Sequence, residues 1–133
     1  MKIKVYAIGE KLEKFYLEAI KEYEKRLSRY CNIELIYLKK EDQLQKKLNP
    51  SSYVIFVSIA GETVTSEELA STIDHWASSG LSDVSVLIGA TRPKCNESLT
   101  FSQMEMDFGL QTLIVFEQIY RAYRIINNHP YHK

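Results

Sequence analysis

Residues 121–133 read RAYRIINNHPYHK and hold two arginines, two histidines, two tyrosines and a lysine. Chain termini are ordinarily small, polar and dispensable, so this concentration of cationic, titratable and stacking side chains asks for a chemical reason. Arg121 and Arg124 carry planar guanidinium groups, which suit recognition of phosphate. Tyr131 offers a ring on which an unpaired base can stack. His129 and His132 are of the one side-chain type that trades protons close to neutral pH, and Lys133 adds a further charge. Glu117, Arg121 and Arg124 follow one another at i, i+4 and i+7, which fits a helical ion pair or an arginine pair beside a substrate. No cysteine or carboxylate accompanies the two histidines within the tail, so no metal is expected. No GxSxG elbow is present to support a serine hydrolase.

Those side chains must be positioned by a scaffold, and the hydrophobic pattern describes it. Lys2–Ile8 alternates charged and apolar residues before Gly9 and reads as a strand. From Glu10 to about Arg29, Leu12, Phe15, Tyr16, Ala19, Ile20, Tyr23 and Leu27 recur on one helical face. Asn32–Leu38 is a second strand, and KKEDQLQKKLNP is a short polar helix stopped near Pro50. Tyr53–Ile59 is continuously apolar, the pattern of a central strand covered on both faces. Thr65 with Glu68 three residues on forms a capping box that opens a helix through about Ser78. Asp83–Gly89 and the stretch LTFSQMEM (residues 99–106) read as two more strands, with the loop ATRPKCNES between them. A helix of about 17 residues from Leu110 closes the pattern; it is apolar almost all round, and a partner subunit is its expected second cover. Strands alternating with helices imply a single α/β domain over residues 1–133, a layered sandwich with a mainly parallel sheet.

In open α/β sheets ligands sit at the carboxyl ends of strands. Three such ends carry candidate residues: IAGE (59–62), LIGA (87–90) and FSQMEM (101–106). The glycines let backbone approach a ligand closely, but they equally suit ordinary strand-exit turns. None matches GxGxxG or GxxxxGK[ST], which removes support for a dinucleotide or P-loop site.

Composition narrows the partners. With 17 basic and 17 acidic residues, no global field draws the chain to nucleic acid or membrane, so any nucleic-acid site is a local patch. The alternating start MKIKVYAIG is too short an apolar run for a signal peptide or membrane span. Cys31 and Cys95 lack metal-ligand spacing and are expected as free thiols in a reducing cytoplasm.

Taken together, KIKVYAIGE, YEKRLSRY, TSEELASTID, LTFSQM, EQIYRAYRI and the closing PYHK resemble the RlmH family, bacterial SPOUT-class methyltransferases acting on N3 of a pseudouridine in large-subunit ribosomal RNA. The resemblance runs from Met1 to Lys133 with gaps. It implies a three-layer α/β sandwich whose C-terminal segment forms a deep trefoil knot, a homodimer, a cytoplasmic location, and S-adenosylmethionine as cofactor. By matching position it implies Val57, Gly89, Phe101, Ser102, Gln103, Met104, Glu105 and Met106 as cofactor residues. It further implies His132, Arg124 and Tyr131 in catalysis, and Arg121, His129 and Lys133 against 23S ribosomal RNA on the ribosome. The chain departs from the family pattern at IGATRP, where Ala90 replaces a second glycine in a shortened segment. It departs again at Asp107–Gly109 (DFG), and in a short connection between Leu38 and Tyr53. These departures define a second reading, an RlmH-like dimer that binds ribosome or RNA without transferring methyl. A flavodoxin-like binding module, expected to be monomeric, is the third reading that fits the strand–helix alternation alone.

Overall fold

The computed structural model describes residues 1–9 and 11–133. Five strands, β1 (Lys2–Ile8), β2 (Asn32–Leu38), β3 (Tyr53–Thr63), β4 (Asp83–Ile88) and β5 (Glu97–Thr100), form one sheet in the order β2-β1-β4-β3-β5. Every neighbouring pair is parallel. Because β4 rather than β3 neighbours β1, the order is not that of a flavodoxin-like module.

Side-chain alternation divides the sheet into unequal faces. Ile3 and Val5 of β1, Ile55 and Val57 of β3, and Val84, Val86 and Ile88 of β4 point to one side. There they meet α1 (Lys14–Leu27), α3 (Ser66–Ser78) and α4 (Phe108–Ile126) through Ile20, Leu27, Leu69, Ile73, Val115, Phe116 and Ile119. Tyr6, Ile8, Val54 and Leu87 point to the other side, where they meet Leu38 and Leu44. The cover on that side is a 3-10 turn (Glu41–Gln43) and the four-residue α2 (Leu44–Lys47), pinned by the Tyr6 hydroxyl donating to the Lys47 carbonyl at 3.2 Å. The third layer is therefore present but thin, as the short Leu38–Tyr53 connection requires.

Local chemistry explains most boundaries. At α3, the Glu68 N–H donates to Thr65 Oγ1 while the Thr65 N–H donates to Glu68 Oε1, a reciprocal capping box. Asp107 caps α4 by accepting the Gly109 N–H at 3.1 Å, so the DFG stretch serves as the helix start. α1 begins at Lys14, later than the hydrophobic pattern suggests; Glu10 lies outside the described residues. Phe15, expected on the buried face, is 62% exposed, and it is the Tyr16 ring that packs on the start of α4, over Gly109.

Two strand expectations are corrected. β3 does not stop at Ile59 but runs to Thr63 through an irregularity in which both Val57 and Glu62 pair with Leu99. Gly61 allows this close approach, since a Cβ there would lie 2.5 Å from the Leu99 backbone. The extra residues turn Ser58 and Ile59 outward, as bulges do. β5 covers only Glu97–Thr100, and residues 101–106 form a crossing segment. That segment is held by Thr100 Oγ1 donating to the Ser102 carbonyl and by the Met104 N–H donating to Ser102 Oγ. Among the described residues no helix is long and apolar enough to cross a membrane.

The turn after β4 depends on Gly89. Its φ is 85°, and a Cβ there would stand 2.0 Å from the Ile8 carbonyl oxygen. Ala90 is not in the left-handed region; Arg92, at φ 50°, is. The alanine that departs from the family pattern is therefore unstrained. Gly89→Ala is expected to lower unfolding free energy by about 3 kcal/mol in urea titration, whereas Ala90→Gly should cost under about 1 kcal/mol.

Candidate functional site

A cleft of about 350 Å³ opens at the end of β4, where its pairing with β3 stops at Val57 and Ile88. Its walls are Phe56, Val57, Ser58 and Ile59 from β3, Gly89 and Ala90 from the turn after β4, Glu105 and Met106 from the crossing segment, and Gln111 from α4. Of the residues expected at a cofactor site, Val57, Gly89, Glu105 and Met106 are brought together here. Phe101 lines a separate hollow with Val64, Thr65, Ser66, Leu69, Ile114 and Gln118. Ser102 serves the turn that holds the crossing segment, Gln103 is exposed, and Met104 is 76% exposed beyond the cleft lining. Of the IAGE strand end only Ile59 enters the cleft, and sequence reasoning missed Ser58, because the outward turn of both depends on pairing with Leu99, some forty residues away. Gln111 was equally hidden: nothing in its own helix distinguishes it from a solvent-facing residue.

The cationic tail forms a second, separate cluster. Arg121 Nε and Nη2 both donate to Glu117 Oε1, at 3.1 and 2.9 Å, so the i, i+4 pair is an ion pair as one reading of the spacing held. The Tyr131 hydroxyl donates to the same oxygen at 3.2 Å, and its ring lies under the Arg121 guanidinium at 4.8 Å. Burial, then the neighbouring Tyr23 hydroxyl and the Glu117 charge, push the Tyr131 phenol up, which keeps it a donor.

His132 bridges two charges. An arginine can only donate, so Arg121 Nη1, 3.0 Å away, makes His132 Nδ1 an acceptor. The proton is then on Nε2, which donates to Glu67 Oε1. The Glu67 carboxyl is held below its usual range, first by its own backbone N–H in the opening turn of α3 and then by His132. Arg124 anchors the rest of the tail. Its Nη1 donates to the Tyr30 hydroxyl at 3.0 Å and its Nη2 to the Pro130 carbonyl at 2.9 Å. The Tyr30 hydroxyl donates onward to His129 Nδ1 at 2.6 Å. Tyr30 escaped sequence reasoning because it stands 94 positions from Arg124. Lys133 is exposed at the end of this cluster.

The two clusters share α4 but not space. Gln111 lines the cleft and Arg121 begins the tail cluster, ten residues or about 15 Å apart along the helix. No tail residue lines the cleft. Among the described residues no group of three or more His, Cys, Asp or Glu side chains could hold a metal.

The sequence profile of a family described as "Predicted SPOUT methyltransferase" matches residues 1–132. The chain is 48% identical over 133 residues to "Ribosomal RNA large subunit methyltransferase H 1" of Thermoanaerobacter sp. (strain X514), with the whole of both chains covered. It is 36% identical over 159 aligned residues to "Ribosomal RNA large subunit methyltransferase H" of Bacillus pumilus (strain SAFR-032) and 33% identical to the protein of that name from Clostridium botulinum (strain Alaska E43 / Type E3), again with full coverage of both chains. The short connections that set this chain apart from the longer relatives are thus compatible with an end-to-end match to the Thermoanaerobacter protein.

The tail cluster has a pH signature. Lost solvation, then the positive charges of Arg124 and Arg29, hold His129 below its ordinary value of 6.5. The unfolded chain therefore takes up a proton before the folded one does, and stability rises with pH in that window. The docked tail is fully supported above about pH 6.5 and loses that support as pH falls through the folded value. An NMR titration of the His129 ring is expected to give a midpoint below 6.5, moving upward in Arg124→Gln.

Proposed function

The chain belongs to the RlmH family of SPOUT methyltransferases, and from this premise we propose that it transfers a methyl group from S-adenosylmethionine to N3 of a pseudouridine in 23S ribosomal RNA. The reading includes the assembled ribosome as substrate, the cytoplasm as location, a homodimer as working form and a knotted C-terminal segment. The observation that carries it is the meeting of Val57, Gly89, Glu105 and Met106 in one cleft at the carboxyl end of β4, where β3 parts from it.

The residues present fit the cofactor. The cleft volume lies within the range of small-molecule sites. Val57, Ile59 and Met106 supply apolar and polarisable surface for a flat heterocycle and a thioether-like centre. Ser58 and Gln111 supply hydrogen-bonding groups, and the Glu105 carboxylate complements positive charge. The turn at Gly89 keeps backbone, not side chain, at the floor. When bound, S-adenosylmethionine supplies an electrophilic methyl on a sulfonium. The chain's part is then to hold the nucleobase N3 in line with that methyl and to manage the N3 proton.

His132 is the proposed base. Its basic atom is Nδ1, which Arg121 occupies, so base catalysis requires that contact to open toward the substrate. Arg121, His129 and Lys133 then face RNA phosphates, Arg124 stabilises developing charge, and Tyr131 stacks on the base. Because the tail and the cleft of one chain lie apart, the tail of a second copy is proposed to complete each site. Exposed Ile59 and Met104 from the cleft side, with Phe15 and Leu110 on the adjoining helices, support that assembly. The knot reading is supported by the route of the chain. The β4–β5 connection crosses the α2 side, where the Thr91 N–H donates to Glu41 at 2.8 Å. Residues 101–107 then return over the strand ends to α4 on the opposite side.

Calorimetry with S-adenosylmethionine is expected to show binding in the micromolar range, weakened at least tenfold by Met106→Trp; no heat up to millimolar cofactor removes the enzyme reading and leaves the RNA-binding dimer. His132→Ala is expected to lower the methyl-transfer rate at saturating substrate by about 100-fold or more with cofactor affinity unchanged. An unchanged rate takes His132 out of the chemistry.

A further inference from the structure

The thinly covered side of the sheet carries a charge pattern that the cleft does not use. Lys39 and Lys40 follow β2 at its carboxyl end, Lys46 and Lys47 close α2, and Arg92 and Lys94 stand in the β4–β5 connection. All six are exposed, and among the described residues none makes an ion pair. Glu41 and Asp42 lie between them, and one Glu41 oxygen already accepts the Thr91 N–H. In a chain whose 17 basic and 17 acidic residues cancel, this is a locally unbalanced positive surface.

Its position is fixed relative to the cleft. Gly89 and Ala90 form the cleft wall, and two residues later the same connection presents Arg92 to a hollow of about 410 Å³ shared with Lys94, Leu44 and Gln45. Three anchors hold the connection: the Gly89 turn against Ile8, the Thr91–Glu41 bond, and Asn96, whose backbone N–H and side-chain oxygen both bond the Val54 backbone. Pro93 stiffens the backbone between the two cations. Point charges held at a cleft lip, with Leu44 buried beneath them, suit a polyanion rather than an apolar surface.

We infer that Arg92 and Lys94, with Lys39 and Lys40 on the same side of the sheet, grip the phosphate backbone of the RNA strand flanking the target nucleotide. The inference rests on the ribosomal RNA substrate proposed above. It assigns to the α2 side of the molecule a role separate from the tail: the tail meets the base, and this rim sets the register of the strand.

The test compares the Arg92→Gln/Lys94→Gln double variant with Lys21→Gln/Lys25→Gln, a charge-matched pair of exposed lysines on α1 across the sheet. Binding to large ribosomal subunits is measured by filter retention from 50 to 200 mM salt, and S-adenosylmethionine binding by calorimetry. The rim variant is expected to bind subunits about tenfold more weakly at low salt, with a log–log salt slope shallower by about 1.5. The α1 variant should match wild type within about twofold, and cofactor affinity should not change in either. Equal behaviour of the two variants, or a rim variant indistinguishable from wild type, overturns the inference, as does a wild-type protein that fails to bind subunits. Rim-dependent binding without any methyl transfer keeps the rim and removes the proposed activity instead.

Discussion

The carbonyl oxygen of Ile8 occupies the space in which any residue other than glycine at position 89 would carry its Cβ. This one steric constraint lets the end of β4 lie flush against the end of β1 while the chain turns by way of a left-handed residue. Both of the surfaces that matter descend from it. One side of the turn becomes the cleft wall with Val57 and Met106 opposite. The other side carries the connection that presents Arg92 and Lys94. A looser turn could not fix either surface relative to the sheet, because the connection has only seven residues between Gly89 and Glu97 in which to cross β3.

The tail follows a different logic, that of mutual neutralisation. Arg121 is offset by Glu117 and His132 stands between Arg121 and Glu67, whereas Arg124 keeps its charge and gives Nη1 and Nη2 to the neutral Tyr30 hydroxyl and Pro130 carbonyl. Aromatic rings add to this: Tyr131 meets Tyr120 edge-on at 4.8 Å, and Tyr30 stacks on Tyr123 at 5.5 Å. Such half-exposed polar contacts are individually worth little, while burying the rings contributes more. The tail is thus docked by its aromatic side chains and oriented by its polar ones. That combination leaves the polar contacts free to rearrange without undocking the segment.

Legibility from sequence followed the range of the interactions. β1 and β2 were readable to the residue because alternation is local, and the Thr65–Glu68 capping box because its two bonds span three positions. The irregular end of β3, the shortness of β5 and the partner of Arg124 all depend on contacts between residues about forty to ninety-four positions apart, which no window of periodicity contains. At the site, a glycine at a strand end pointed to Gly89 and the family resemblance to Val57, but neither could separate Glu105 and Met106, which enter the cleft, from Gln103 and Met104, which do not. The crossing segment has no repeating geometry; its side-chain directions follow from the Ser102 turn.

The zero net charge of the chain argues for localisation of its electrostatics rather than against a polyanionic partner. At physiological ionic strength exposed charges are screened beyond about 8 Å, so the field on the α2 side is set by its own cations with Glu41 and Asp42 among them, and not by the glutamates of α1 across the sheet. The short Leu38–Tyr53 connection makes this separation possible. A longer helix there would spread over the Leu87 face and require its own apolar stripe, whereas the four residues of α2 bury Leu44 and leave their lysines to solvent. Thinness of the third layer and exposure of the cationic rim are one structural decision, taken where the chain is shortest.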